Sequence, residues 1–259
     1  MCSNVQGGSE SMMTAAAILS AGKGTRFGTD MPKQFLEISG VPVLVRSVNA
    51  FLDCAEVSLC IVAAGAEHTE YTRELLKKYF PGEARIRVIS GGDSRGDTLL
   101  KILEYIDGEF SLDGCNLLTH DAVRPFVTKR IIEENIEACK KYGACNTCVR
   151  AVDTVLHSSD GSFLDGTLRR EELFNAQTPQ SFSARTLYEL ITGMDREKYL
   201  SLTDGASVFL EAGKPVFIVR GEDYNIKITY RDDLKRGEQI LAEHFAADAP
   251  LSDKGRKNN

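Results

Sequence analysis

Between residues 19 and 34 the chain runs Leu19-Ser20-Ala21-Gly22-Lys23-Gly24-Thr25-Arg26-Phe27-Gly28, then Met31-Pro32-Lys33-Gln34. Glycines let backbone N–H groups converge on phosphate oxygens without side-chain obstruction. Arg26 and Lys33 add positive charge that can follow a phosphoryl group into its transition state. That is the chemistry of a triphosphate cradle. No Gly-Lys-Ser/Thr stands at Walker spacing, and Gly22, Gly24 and Gly28 read G-x-G-x-x-x-G, which is not the dinucleotide fingerprint. A purely structural glycine turn is the competing reading, and the basic residues weigh against it.

Three further clusters carry polar chemistry. Ser90-Gly91-Gly92-Asp93-Ser94-Arg95-Gly96-Asp97-Thr98 offers amides, carbonyls and hydroxyls of the kind that read a pyrimidine edge, with Thr98 near a helix start. A capped helix start with solvated charges is its structural alternative. In Thr119-His120-Asp121-Ala122-Val123-Arg124-Pro125-Phe126, the Asp121 carboxylate at the end of a strand can hold Mg²⁺ against phosphates, and Arg124 can grip an acceptor phosphate. The alternative there is an Asp121–Arg124 ion pair, and His120 reads as a packed, hydrogen-bonded histidine. Tyr224 to Thr229 alternates as a strand, placing Lys227 between apolar neighbours where it needs an anion such as phosphate; a surface edge-strand lysine is the other reading. Asp204 suits a helix cap.

These residues need a scaffold. Apolar runs at Ala15 to Leu19, Val57 to Ala63, Arg87 to Ile89, Asn116 to Thr119, Ala144 to Arg150 and Val216 to Val219 predict strands. Helical periodicity between them covers Leu44 to Leu52, Tyr71 to Tyr79, Thr98 to Tyr105, Lys129 to Tyr142 and Ala184 to Thr192. The alternation predicts an α/β, Rossmann-like, mostly parallel sheet with helices on both faces. From about 152 to 176 the pattern breaks into two extended stretches around Ser158-Ser159-Asp160-Gly161-Ser162, which predicts a protruding β-arm suited to packing on a second subunit. One domain over 14–247 is expected, with a disordered leader at 1–13 and a disordered tail at 248–259.

Composition bounds the partners. At 42% hydrophobic and 26% charged the chain is an ordinary globular sequence, and a net charge of −6 argues against general affinity for nucleic acid or anionic membrane, so an anionic ligand must meet a local basic cluster. The seven cysteines fall mostly in apolar or helical stretches and read as reduced, buried thiols; the Cys145/Cys148 pair lacks companions for zinc or redox work. The first residues carry neither signal peptide nor anchor, and a cytoplasmic location is expected.

In this order, AGKGTRFG with MPKQFL, GGDSRGDT, HDAVRPF, AVDTV, AQTPQSF, LTDGAS and NIKIT resemble the cytidylyltransferases of the methylerythritol phosphate and ribitol phosphate family over about residues 14 to 243. The resemblance implies a nucleotide-diphospho-sugar transferase-like fold. It implies CTP binding by Ala21, Gly22, Lys23, Gly24, Thr25 and Arg26, with Gly92, Asp93, Arg95 and Thr98 around base and ribose. Arg26 and Lys33 would stabilise the α-phosphate, Lys227 would sit beside the reacting phosphates, and Asp121 would take the metal. Arg124, Thr154 and Arg170 would meet the acceptor, the latter two from an arm inserted by the partner of a homodimer.

The implied reaction moves CMP from CTP to a polyol phosphate. The stretches His68 to Thr72, Arg130 to Ile136 and Gln177 to Phe182 look closer to the ribitol 5-phosphate branch, and Thr203-Asp204-Gly205-Ala206 departs from the Thr-Asp-Glu-Ala of methylerythritol enzymes. Against that, Ser20-Ala21-Gly22 lacks the double glycine of the ribitol branch. Ribitol 5-phosphate is therefore the preferred acceptor and 2-C-methyl-D-erythritol 4-phosphate the alternative. A nicotinamide oxidoreductase is the reading from another class, disfavoured by the basic loop.

Overall fold

A computed structural model describes residues 12–22, 31–201 and 204–246. Most of the expected leader, all of the expected tail, and loop residues Lys23, Gly24, Thr25 and Arg26 lie outside them.

The chain begins with β1 (Met13–Ser20), a small β2 (Glu37–Ile38) and β3 (Val41–Pro42) pair, then α1 (Val43–Leu52) and β4 (Leu59–Ala64). There follow α2 (Thr69–Tyr79), β5 (Ile86–Ser90), α3 (Arg95–Glu109), β6 (Cys115–Asp121), α4 (Lys129–Tyr142) and β7 (Ala144–Arg150). The two-residue strands β8 (Leu156–His157) and β9 (Gly166–Thr167) come next, then β10 (Phe174–Ser183), α5 (Ala184–Thr192), α6 (Arg196–Ser201), α7 (Gly205–Glu211), β11 (Phe217–Arg220) and α8 (Asp232–His244).

Among the described residues the main sheet has seven strands in the order β11-β7-β10-β6-β1-β4-β5. β1 pairs parallel with both β4 and β6, β4 with β5, and β7 with β11; β10 alone runs antiparallel, between β6 and β7. β4 and β6 are buried at every residue. That explains their unbroken apolar character: a central parallel strand covered on both faces has no solvent side on which to alternate. One face packs Leu99, Ile102, Leu103 and Ile106 of α3 with Leu187 of α5 and Phe209 of α7, and the other packs Leu44, Val48 and Phe51 of α1 with Ile131, Ile132 and Ile136 of α4. Each fully buried large apolar side chain contributes about 1.5–3 kcal/mol relative to exposure.

Helix ends follow local chemistry. Ser94 caps α3 by accepting from Asp97 N–H, Thr128 caps α4 by accepting from Ile131 N–H, and Gly143 ends α4 at φ 78°, a left-handed conformation that favours glycine. Asp204 caps α7 through Ser207 N–H, as its position in the sequence predicts.

Two expectations are corrected. Tyr224 to Thr229, predicted as a strand, joins no sheet; it is irregular chain tied down by Ile228 N–H donating to the Val123 carbonyl at 2.8 Å. Its alternation arises from Ile228 entering a small cluster with Ile38, Val43, Phe126 and Ile240 on α8. Conversely, β10 extends far beyond the arm. Its polar run Asn175 to Ser181 masks the strand from an apolar-run reading, although Gln177 to Phe182 is buried. The arm itself is the antiparallel β8–β9 pair, with Leu156 opposite Thr167. No helix among the described residues is long and apolar enough to cross a membrane. The six described cysteines are buried thiols, and burial pushes Cys60 and Cys145 up to about 12.

Candidate active site

Parallel strands bring their carboxyl ends to one edge, and β1 lies where the connectivity reverses, with β4 on one side and β6 on the other. A cleft of about 690 Å³ opens there, the position expected for a ligand in an open α/β sheet. Ala21, Gly22 and Lys33 line it from the first loop; Gly92, Asp93, Arg95 and Thr98 line it from the second, and Asp121 and Lys227 complete it. Residues as far apart in the chain as Ala21 and Lys227 thus meet in one cavity.

Lys33 opens a short 3-10 turn, Lys33–Phe35, after Pro32. The turn is fixed on both sides. Gln34 Nε2 donates to the Ser20 carbonyl at 2.9 Å, and the Phe35 ring meets His68 and Tyr71 edge-on at 5.5 and 4.8 Å.

The second loop folds so tightly that glycine is required. A Cβ on Gly91 would stand 2.8 Å from the Ala21 Cβ, and one on Gly92 would stand 2.4 Å from the Asp97 Cβ. The first contact is where the two glycine loops abut. Thr98, predicted to touch the nucleotide, has its hydroxyl engaged within the loop: it accepts from Gly92 N–H at 3.0 Å and donates to the Ser94 carbonyl at 2.8 Å. Its observed work is to shape the turn.

At the floor, the Asp121 carboxylate faces three cations. Oδ1 accepts from Arg95 Nη1 at 2.6 Å, and Oδ2 lies 3.0 Å from Lys227 Nζ and 3.5 Å from Arg124 Nε. Burial alone would push the carboxyl up; the charges of Arg95 and Lys227 outweigh it and hold the group well below the usual carboxylate range. One negative charge against three positive ones leaves a cationic cluster at the cleft of an acidic protein, suited to a polyanion. The anion expected for Lys227 is, in this state, Asp121. Among the described residues no group of three or more His, Cys, Asp or Glu could hold a metal by itself. Mg²⁺ commonly takes one or two carboxylates together with substrate phosphates, so the ionised Asp121 at the cleft fits such an ion.

Arg124, expected to grip an acceptor, instead faces inward. Its side chain is 12% exposed, and Nη1 donates to the Asn225 carbonyl at 2.9 Å while Nη2 reaches the Ala176 carbonyl at 3.4 Å. It ties the Lys227 segment and β10 to Asp121. Thr154 and Arg170 are exposed on the arm and do not line the cleft, so the structure does not bring them to the other predicted residues.

Thr178, which motif reading treated only as a family signature, connects this region. β10 shifts register between Ala176 and Gln180, where Pro179 has no N–H for the ladder, and there Thr178 meets the end of β6. Its hydroxyl accepts from Asp121 N–H at 3.1 Å and lies 2.9 Å from His120 Nδ1, while His120 Nε2 lies 3.0 Å from the Arg124 carbonyl. A carbonyl can only accept, so Nε2 carries the proton and Nδ1 accepts from Thr178. Burial pushes His120 down to about 4, consistent with this neutral form. His120 is thus a packed, hydrogen-bonded residue that holds the Arg124 carbonyl directly and the Asp121 N–H through Thr178. Neighbouring Asn225 donates to the Thr178 carbonyl at 3.1 Å.

A family model described as 2-C-methyl-D-erythritol 4-phosphate cytidylyltransferase, IspD, matches residues 14–243. The chain belongs to that family. It is similar to the 4-diphosphocytidyl-2C-methyl-D-erythritol synthase of Anaerococcus prevotii at 27% identity, with 90% of this chain and 97% of that one covered and a TM-score of 0.75. The 2-C-methyl-D-erythritol 4-phosphate cytidylyltransferase of Francisella tularensis aligns at 27% identity over 88% of this chain and 100% of its own, with a TM-score of 0.74. The Thermus thermophilus enzyme of that name aligns at 26% over 87% and 98%, at 0.68. As a member of the IspD family the protein is a CTP-dependent cytidylyltransferase with the nucleotide-diphospho-sugar transferase-like fold, and the nicotinamide oxidoreductase reading falls away.

Proposed function

We propose that this cytidylyltransferase moves CMP from CTP to the phosphate of 2-C-methyl-D-erythritol 4-phosphate and releases pyrophosphate. The family match over residues 14–243 carries the choice of acceptor, and it reverses the preference for ribitol 5-phosphate drawn from the motifs.

In this reading an oxygen of the acceptor phosphate attacks the α-phosphorus of CTP in line; the new P–O bond forms as the bond to the β-phosphate bridging oxygen breaks and pyrophosphate leaves. The attacking phosphate is already anionic at neutral pH, so no general base is needed, and neutral His120 has no call to act as one. Rate enhancement comes from positioning and charge neutralisation. Arg26 and Lys33 from the first loop and Lys227 from the far segment balance the charge at phosphorus. Gly22, Lys23, Gly24 and Thr25 would bind the triphosphate, while Gly92, Asp93 and Arg95 would bound the base and ribose. Asp121 would hold Mg²⁺, which when bound supplies Lewis-acid charge against the phosphates. Arg95 and Lys227 exchange their contacts with Asp121 for contacts with the incoming anion.

The reaction site takes a second copy of the chain. Val152, Phe163 and Leu164 on the arm are 74, 78 and 67% exposed, an apolar surface that supports packing on a partner. In the dimer the arm carries Thr154 and Arg170 to the acceptor.

The test is pyrophosphate release with CTP and a panel of polyol phosphates. Release with methylerythritol phosphate at a kcat/KM at least a hundredfold above that with ribitol 5-phosphate is expected. Preference for ribitol 5-phosphate, or release with neither, overturns the assignment.

A further inference from the structure

Ser20 ends β1 at the lip of the cleft and is 3% exposed. Its hydroxyl finds no hydrogen-bond partner among the described residues. The backbone there is satisfied, since the Ser20 carbonyl accepts from Gln34 Nε2 at 2.9 Å. An unmatched buried hydroxyl is unfavourable, and three positions of the same strand, Ala15, Ala16 and Ala17, are filled by alanine with no polar atom to satisfy. A hydroxyl kept at such a place calls for a partner that arrives later.

The direction of the side chain narrows the partner. Along β1, Ala15 and Ala17 pack with the α3 and α5 face, whereas Ala16 and Ile18 pack with Phe35 and α1. Period-two alternation places Ser20 in the second file. Ala21 points the other way, against Gly91 of the second loop. Ser20 therefore faces the Lys33 turn on the cleft wall it shares with Gly22 and Lys33, and it faces away from the loop assigned to the base.

We propose that the Ser20 hydroxyl is a substrate-binding group that donates a hydrogen bond to a phosphate oxygen of CTP, on the cleft wall it shares with Gly22 and Lys33. The inference rests on the assignment of CTP to this cleft.

The test is Ser20→Ala in the full chain, titrated with CTP and inorganic pyrophosphate, and with cytidine by displacement of CTP, alongside thermal unfolding without ligand. A charge-assisted hydrogen bond removed from the complex alone weakens CTP and pyrophosphate about tenfold, leaves cytidine within about twofold, and leaves Tm unchanged or slightly raised. Unchanged CTP affinity overturns the proposal. So does equal weakening of cytidine, which moves the contact to the nucleoside. A fall in Tm of more than about 2 °C also overturns it, because the hydroxyl then serves a bond within the free protein. Failure of the unaltered protein to bind CTP is a separate result and removes the cleft assignment itself.

Discussion

The Asp121 carboxylate and the Arg95 guanidinium meet at 2.6 Å, joining the end of β6 to the first turn of α3. Because Lys227 and Arg124 share the same carboxylate, Asp121→Asn leaves three cations facing one another. Breaking a buried pair costs about 3–5 kcal/mol; with Arg95 31% and Lys227 41% exposed, solvent screening reduces the expected loss to about 2 kcal/mol. Urea denaturation at pH 7 measures it. The folded carboxyl titrates below the unfolded one, so its contribution is complete above about pH 4 and is lost on further acidification. The Asn variant should lack that part of the acid loss.

His120 titrates in a different window. Burial holds it at about 4 in the folded protein, against about 6.5 unfolded. The unfolded chain binds the proton first, so stability falls as pH drops from about 6.5 to about 4, by up to roughly 3 kcal/mol. His120→Gln, which can still accept from Thr178 and donate to the Arg124 carbonyl, should flatten the curve in that window. An unchanged slope would assign the acid loss elsewhere.

Gly91 and Gly22 should respond differently to a methyl group. At Gly91 the added carbon meets Ala21 at 2.8 Å, while at Gly22 it meets nothing within 4 Å among the described residues. Gly91→Ala is expected to lose about 1–3 kcal/mol by overpacking and to weaken CTP by pushing the loops apart. Gly22→Ala should keep wild-type stability and show any defect in CTP binding alone. Thermal unfolding and CTP titration of both variants separate the two effects.

Lys33→Ala should reduce kcat by about two to three orders of magnitude with the unfolding transition intact, since the turn carrying it is anchored by Gln34 and Phe35. Arg26→Ala should behave alike. Near wild-type turnover in either removes the charge-neutralisation mechanism.

The proposed arm-mediated dimer predicts that replacing the exposed arm residues Phe163 and Leu164 by serine shifts the mass in sedimentation velocity from dimer to monomer. The acceptor KM should rise more than the CTP KM, because the acceptor contacts proposed for Thr154 and Arg170 travel with the arm. An unchanged dimer would place the interface on another surface.

Most strands and helices were legible because their signal is local. The apolar runs at Ala15 to Leu19 and Asn116 to Thr119 match β1 and β6, and the periodicity of Lys129 to Tyr142 matches α4. β10 was not, because its residues are polar and buried by partners far away in the chain, such as Thr147, whose hydroxyl donates to the Pro179 carbonyl at 2.7 Å. The Tyr224 to Thr229 segment misled for the opposite reason, since its apolar residues pack into a cluster without joining a ladder.

The sequence by itself determined which chemistry could be present: a glycine loop with Arg26 and Lys33, a second glycine turn, and an acidic strand end at Asp121. Residue type and spacing suffice for that, since donors, charge and backbone freedom are properties of the residues themselves. Tertiary structure decided what each group faces. It paired Asp121 with Arg95 and Lys227, turned Arg124 inward onto carbonyls, engaged Thr98 within its loop and left the Ser20 hydroxyl without a partner among the described residues. Those outcomes depend on distances between elements remote in the chain, and no local pattern encodes them.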